Sequence, residues 1–427
     1  MINKVKALSK SSFIQGTLIV TVGSFIGSIF NYVLQLGLAR TLSVEDFGVF
    51  SALLSMAVIF SVPTSAFIQS IIKSVVKLKA TDAFDTLTKL YLTLSLYALF
   101  LGFLLFSGLH ILATPIQNYL NLDNWYIFRA FTVYMGLSFI LIPTSSYLQG
   151  LLRFKAFAFY VSVTGFVRMV IPLTLVYLGY RVGGIFYGMT AVAVIMYLVG
   201  GLLLWKNFVV PSTESVKDYY KEILQFGVAT LFVSIGMSLL NNVDVLMVKH
   251  LFSSYESGIY AGVVTLGKVF LFGAGMVTVV MYPQIASLKA SGRNYMRRFY
   301  QFLSLQLILV SGGVIAFVAF PRLLTITLFG HSFDSAISYL PMFSIFVALY
   351  ILVNFFIMFN LAVNNTNIWK FLLPTAFAQY LLIHYFHRTL DSIIYINISV
   401  TVLLLLCLIA FTWYNLRDVS IDNNSSL

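Results

Sequence analysis

Charge is scarce in this sequence: Asp, Glu, Lys and Arg together make up 9% of 427 residues, where a soluble domain carries about 25%. A water-soluble chain of this length needs more polar surface to cover itself. A soluble enzyme is therefore excluded, and most side chains must face lipid or one another. Cysteine is almost absent too. Cys407 stands alone, which excludes an internal disulfide and a cysteine-cluster metal site and leaves the redox compartment unreadable. Long polar segments are also missing: none exceeds about 20 residues. That leaves no room for a soluble catalytic domain, a nucleotide-binding P-loop or a large outer loop, and it excludes ATP hydrolysis by this chain. Acidic residues are few, 14 against 26 Lys and Arg, for a net charge of +12. In a soluble protein that excess would suggest nucleic acid. Here it fits cytoplasmic loops lying against anionic lipid, and no nucleic-acid partner is expected.

What the sequence does have is apolar length. Hydrophobic residues make up 60% of the chain and the mean hydropathy is +0.94. Crossing about 30 Å of hydrocarbon takes roughly 20 helical residues. Twelve stretches qualify: 13–38, 47–71, 90–112, 126–149, 157–178, 183–205, 223–248, 258–281, 300–320, 337–362, 368–386 and 393–416. The expected fold is an all-α integral membrane protein of about twelve transmembrane helices. Lys4, Lys6 and Lys10 before the first span resemble the start of a signal peptide. The span is about twice the length of a signal peptide's apolar core, without a small-residue cleavage site, so it is read as a helix.

Sorting basic residues by loop gives the orientation. The N-terminus, the loops after even-numbered spans and the C-terminal tail hold eighteen, among them Lys73, Lys77, Lys79, Arg153, Lys155, Lys289, Arg293, Arg297 and Arg298. The opposite side holds five: Arg40, Arg181, Lys249, Arg322 and Arg388. By the positive-inside rule both termini are expected in the cytoplasm of a multi-pass membrane protein.

A shift of 210 residues reveals a repeat. Between residues 15 and 48 the identical pairs are Gln15/Gln225, Ser24/Ser234, Ser28/Ser238, Asn31/Asn241, Val33/Val243, Leu36/Leu246, Ser43/Ser253 and Gly48/Gly258. Six of these eight are polar or glycine, which composition alone does not explain. An even offset of six helices predicts two six-helix lobes of the same orientation, related by pseudo-two-fold symmetry along the membrane normal. The expected division is an N-terminal lobe 1–205, a cytoplasmic linker 206–222 carrying an amphipathic helix, and a C-terminal lobe 223–427. Such a pair of lobes is the arrangement of an alternating-access transporter.

A charge in hydrocarbon costs about 2.5 to 3.5 kcal/mol on insertion scales, so each one needs a reason. Arg168 and Lys268 fall near the middles of the fifth and eighth spans, too deep to snorkel easily, and are expected to face a water-filled cavity that suits an anionic substrate. An arginine there can clamp a phosphate through two parallel hydrogen bonds. Arg129 lies just inside the outer end of the fourth span and can equally reach the interface along its own stem. Asp244, about one turn from the outer end of the seventh span, is the candidate for binding a coupling proton or sodium ion, or else for pairing structurally with Lys268. Asn31, Gln35, Asn241 and Asn242 supply amides of the type that binds carbohydrate, or that joins helices at about 0.6 kcal/mol apiece. Pro63, Pro143, Pro172 and Pro374 predict bends within spans. His384 and His387 lack a third metal ligand, so neither a metal nor any other cofactor is expected.

The run Leu38-Ala39-Arg40-Thr41-Leu42-Ser43-Val44-Glu45-Asp46-Phe47-Gly48-Val49-Phe50 resembles the signature after the first helix of polysaccharide exporters of the multidrug/oligosaccharidyl-lipid/polysaccharide (MOP) superfamily. Its echo from His250 to Gly262, with Glu256, Gly258 and Tyr260, is placed as in that family. Tyr147 to Ala156 is similar to the family's junction between fourth and fifth helices. The resemblance implies a Wzx-type flippase, not an enzyme, moving an undecaprenyl-pyrophosphate-linked oligosaccharide across the bacterial cytoplasmic (inner) membrane for O-antigen, lipopolysaccharide or capsule. It also implies a central cationic cavity, membrane lipid as a second partner, and a glycan polymerase and chain-length regulator as protein partners. Two other readings stand beside it. A cation-coupled multidrug antiporter of the same superfamily would favour acidic cavity residues, and a membrane glycosyltransferase or glycan polymerase would present a sizeable outer loop.

Overall fold

The computed structural model describes residues 12–122, 124–212, 217–363 and 365–424, and among these there is no β-strand. The helices are α1 (Ser12–Thr41), α2 (Val44–Ala80), α3 (Phe84–Ile111), α4 (Ala113–Tyr119), α5 (Trp125–Ser138), α6 (Leu141–Gly150), α7 (Phe154–Leu175), α8 (Arg181–Leu204), α9 (Lys217–Leu251), α10 (Ser254–Ala290), α11 (Met296–Ala319), α12 (Pro321–Phe329), α13 (Leu340–Ala362), α14 (Trp369–Phe386) and α15 (Leu390–Asn424). Every apolar stretch read from the sequence falls on these helices, the fourth on two of them. Among the described residues, ten stretches are long and apolar enough to cross a membrane, and the longest, Phe154–Asn207, contains both α7 and α8. Helix α14, at 18 residues, does not meet that criterion, so a count of twelve crossings is not established by it.

Local chemistry sets the helix ends. Ser253 and Glu256 form a reciprocal capping box at the start of α10: the Ser253 hydroxyl accepts from the Glu256 amide (3.2 Å), and the Ser253 amide donates to the Glu256 carboxylate (3.1 Å). Ser43, 210 residues earlier, accepts from the Asp46 amide at the start of α2 (3.2 Å). This repeated pair therefore recurs because both positions cap a helix. Asn124 caps α5 by accepting from the Tyr126 amide (3.0 Å).

The fourth stretch breaks at Phe139 and Ile140, between α5 and α6, and Pro143 lies in the first turn of α6. Pro172, inside α7, is followed by a π-helical turn, Val176–Tyr180, in which Gly179 has φ +92°. Such a left-handed residue ends α7 and separates it from α8 at the pair of spans most easily run together. Helix α10 continues nine residues past the expected end at 281 and takes in Pro283. Of the expected linker, residues 213–216 lie outside the described residues and Lys217 already begins α9.

The chain divides into two compact units, Met1–Leu42 with Phe60–Leu231, and Ser43–Ile59 with Phe232–Leu427. In the first unit α1 lies along α7, where small residues permit backbone contact: a Cβ on Gly165 would stand 2.7 Å from the Gly27 carbonyl oxygen. Leu87, Leu90, Tyr91, Tyr147, Leu148, Tyr160 and Met196 form its core. At one rim Lys79 donates to the Leu151 carbonyl (2.5 Å) and Arg153 to Asn207 (2.8 Å), fixing the ends of α2, α6 and α8. In the second unit α13 is the central helix, 67% of its apolar window buried. Phe299 packs on it through Phe359, with ring centroids 4.3 Å apart and the rings tilted. Phe47 packs edge-on against Phe329 (5.7 Å) and Phe333 (5.5 Å), which is why the first turns of α2 belong here.

Candidate functional site

Lys268 on α10 and Asp244 on α9 line one small cavity within the second unit, together with Asn241 and Tyr350 and an apolar wall that includes Phe343 and Phe346. Polar groups enclosed by membrane-spanning helices must find partners or water. Asp244, only 2% exposed, finds three donors. Its Oδ2 accepts from the Tyr260 hydroxyl (2.6 Å) and the Asn397 amide (3.0 Å), and its Oδ1 from the Val245 N–H (2.9 Å). The network continues outward. Gln379 donates to the Asn397 side-chain oxygen (2.8 Å) and to the Leu240 carbonyl (3.3 Å), and Thr401 donates to the Asn397 carbonyl (2.6 Å). Four helices, α9, α10, α14 and α15, are thus tied through one carboxylate. Lys268, partly buried, shares the cavity without reaching ion-pair distance: no N···O separation to Asp244 falls within 4.0 Å.

The other candidates sit as follows. Asn241 reaches the cavity, whereas its neighbour Asn242, 4% exposed, turns its amide back to the Ser238 carbonyl (2.9 Å). Asn31 does the same on α1, donating to the Gly27 carbonyl (3.0 Å), and Gln35 is half-buried one turn on. In the first unit Arg168 on α7 is half-buried; its guanidinium donates to the Tyr134 hydroxyl (3.3 Å) and approaches the Met189 sulfur (3.8 Å). Arg129 is exposed and lies over the Trp125 ring (5.4 Å), a stacking that suits an interfacial anchor. Near one end of the second unit, burial and the nearby carboxylates of Asp391 and Glu256 push the Tyr339 phenol upward. His384 stacks on Tyr380 (6.2 Å), and among the described residues no group of three His, Cys, Asp or Glu gathers to hold a metal.

Tyr260, Asn397, Gln379 and Tyr350 are the residues that sequence reading missed as parts of this site. Tyr260 was visible as part of the repeat echo, and Tyr350 donates to the Met237 carbonyl (3.2 Å). The available signal was a polar group in the middle of an apolar span, which for tyrosine is hidden by the many aromatic residues that serve as anchors.

Residues 13–289 match the family model described as polysaccharide biosynthesis protein. No curated protein matches the sequence. In fold the chain is similar to the lipid II flippase MurJ in an inward closed conformation, at 11% identity and a TM-score of 0.70, covering 92% of this chain and 87% of that one. It is also similar to an inward-facing multidrug resistance MATE family transporter of the MOP superfamily, at 13% identity and a TM-score of 0.66, covering 94% and 99%. The MATE transporter VcmN of Vibrio cholerae gives 12% identity and a TM-score of 0.63, covering 95% and 96%. At these identities the likeness is one of fold, and the fold is that of MOP-superfamily membrane transporters.

Proposed function

Because the chain belongs to the polysaccharide biosynthesis protein family, we propose that it is a flippase for an undecaprenyl-pyrophosphate-linked oligosaccharide, the repeat unit of an O-antigen, capsule or related surface glycan. It works in the bacterial cytoplasmic membrane with both termini inside, by alternating access of lobes 1–205 and 223–427 joined by the linker 206–222. The observation that carries the reading is Lys268: an ammonium with no ion-pair contact among the described residues, in a largely apolar cavity inside a membrane-spanning unit. A group so costly to bury is suited to an anion that arrives and leaves. Asn241 beside it offers an amide to sugar hydroxyls, and Arg168 supplies a second cation for the diphosphate. Asp244, the ion-coupling candidate, is the residue through which transport couples to a cation. No bond is made or broken, so the chain is not an enzyme. A glycan polymerase and a chain-length regulator act on the product after transfer.

A drug pump for organic cations would need a free carboxylate. Here the cavity's one carboxylate already accepts three hydrogen bonds and has a lysine for company. The test is genetic and chemical: deletion of the gene removes one surface glycan and accumulates its lipid-linked unit on the inner leaflet, and Arg168→Ala or Lys268→Ala reproduces this at normal protein level. Normal glycan in both variants overturns the reading.

A further inference from the structure

We propose that Lys268 is the resident cation of the Asp244 site, a tethered ammonium standing where a free metal ion would otherwise balance the carboxylate, and that an anionic cargo loads by drawing Lys268 away from Asp244. The proposal rests on the reading above in assigning a diphosphate to the cavity. It follows from the chemistry of the groups present.

A desolvated metal cation takes about six to eight oxygen ligands, or keeps its own water where the protein supplies few. What surrounds Asp244 is mostly hydrogen donors, so a sodium ion here would keep much of its own water, and the tethered ammonium is the better partner for as long as it is present. Tyr260, Asn397 and Val245 all present hydrogens to it, taking three of about four lone-pair directions on a carboxylate. Only one acceptor position, on Oδ1, is left. The cavity adds just the Asn241 amide and the Tyr350 hydroxyl as further oxygens, against walls of Val264, Leu271 and Val347. A fixed anion so held still requires a positive charge in its low-dielectric surroundings, and the chain supplies one within the same cavity. Because the ammonium stands beyond 4.0 Å, it is attracted without being locked. A lysine on a flexible four-carbon stem with three donors can serve Asp244 in one state and a phosphate oxygen in the other. The carboxylate then competes with the cargo for one cation, and the two affinities are linked with opposite sign.

The experiment uses the purified full chain in lipid nanodiscs. Thermal unfolding is followed in sodium chloride and in choline chloride at equal ionic strength, and inorganic pyrophosphate binding is measured by calorimetry. The wild type is expected to unfold at the same temperature in both salts, whereas Lys268→Met gains a sodium-specific rise because Asp244 has lost its partner. Asp244→Asn is expected to bind pyrophosphate about tenfold more tightly, within the range of coupled sites. Equal sodium responses of wild type and Lys268→Met overturn the proposal, as does unchanged or weaker pyrophosphate binding by a folded Asp244→Asn. If Asp244→Asn does not fold, the sodium comparison decides alone. Should the wild type bind no pyrophosphate, the diphosphate reading falls, while the sodium comparison still tests the tethered cation independently.

Discussion

Gly48 and Gly258, equivalent positions 210 residues apart, pack against each other at the starts of α2 and α10. A Cβ on Gly48 would stand 2.8 Å from the Gly258 amide nitrogen and 2.9 Å from the Ser257 hydroxyl. Without a strong hydrophobic drive between helices in lipid, such backbone proximity is what holds them. Gly48→Val is therefore expected to lower stability by about 1 to 3 kcal/mol through overpacking, with Gly48→Ala at the low end. Melting of the purified protein measures this; an unchanged midpoint for Gly48→Val means the contact is not close.

Tyr260→Phe keeps the ring against Phe343 (6.1 Å) and removes only the hydroxyl that donates to Asp244 and accepts from Asn397. Leaving buried partners short of a bond costs about 1 to 3 kcal/mol. The melting midpoint should fall accordingly. Combining Tyr260→Phe with Asn397→Leu should cost less than the sum of the single changes, because both act on one Asp244 oxygen. Strict additivity would place them in separate networks.

Much of this architecture is legible from composition and spacing because the bilayer imposes one rule, that about 20 apolar residues make a helix. The repeat was equally readable wherever it serves a backbone need: Ser43 and Ser253 both cap, and Gly48 and Gly258 meet. Breaks inside a span were harder to place. Pro172 marks α7, but the π turn and the left-handed Gly179 depend on how the chain leaves that helix, and Pro283 is carried inside α10 without ending it. The site was half visible. Charges such as Asp244 and Lys268 stand out against apolar neighbours, whereas the partners Tyr260 and Asn397 are joined only by folding, since 137 positions separate them. Amide content did not separate Asn241, which lines the cavity, from Asn242, which bonds its own helix; that depends on rotation about the α9 axis.

Arg168 and Arg129 should behave differently although both lie in apolar spans. Arg168 is half-buried against Tyr134 and Met189, whereas Arg129 is exposed on Trp125. Arg168→Ala is expected to abolish glycan display, and Arg168→Lys to recover only part of it, since an ammonium does not reproduce the planar fork. Arg129→Ala should retain display and lose at most about 1 kcal/mol of stability from the stacking at an exposed site. Quantifying surface glycan in the three strains at matched protein level checks this, and equal loss in Arg129→Ala would place that arginine in the transport path.

The side of the membrane proposed for each loop rests on the distribution of basic residues and can be tested across a single helix. The turn after α10 carries Lys289, Arg293, Arg297 and Arg298, whereas the segment after α11 holds Arg322 alone before α13. Between them, Met296–Ala319 is apolar enough to cross once. Cys407 is the native thiol and is partly exposed, so it is first changed to serine. In intact cells a membrane-impermeant maleimide should label His331→Cys, whose native side chain is 73% exposed, and should spare Ser291→Cys until the membrane is opened. The reverse pattern would invert the protein. Labelling of both from outside would mean that Met296–Ala319 does not cross, and the assignment of inner and outer faces to every loop beyond it would have to change.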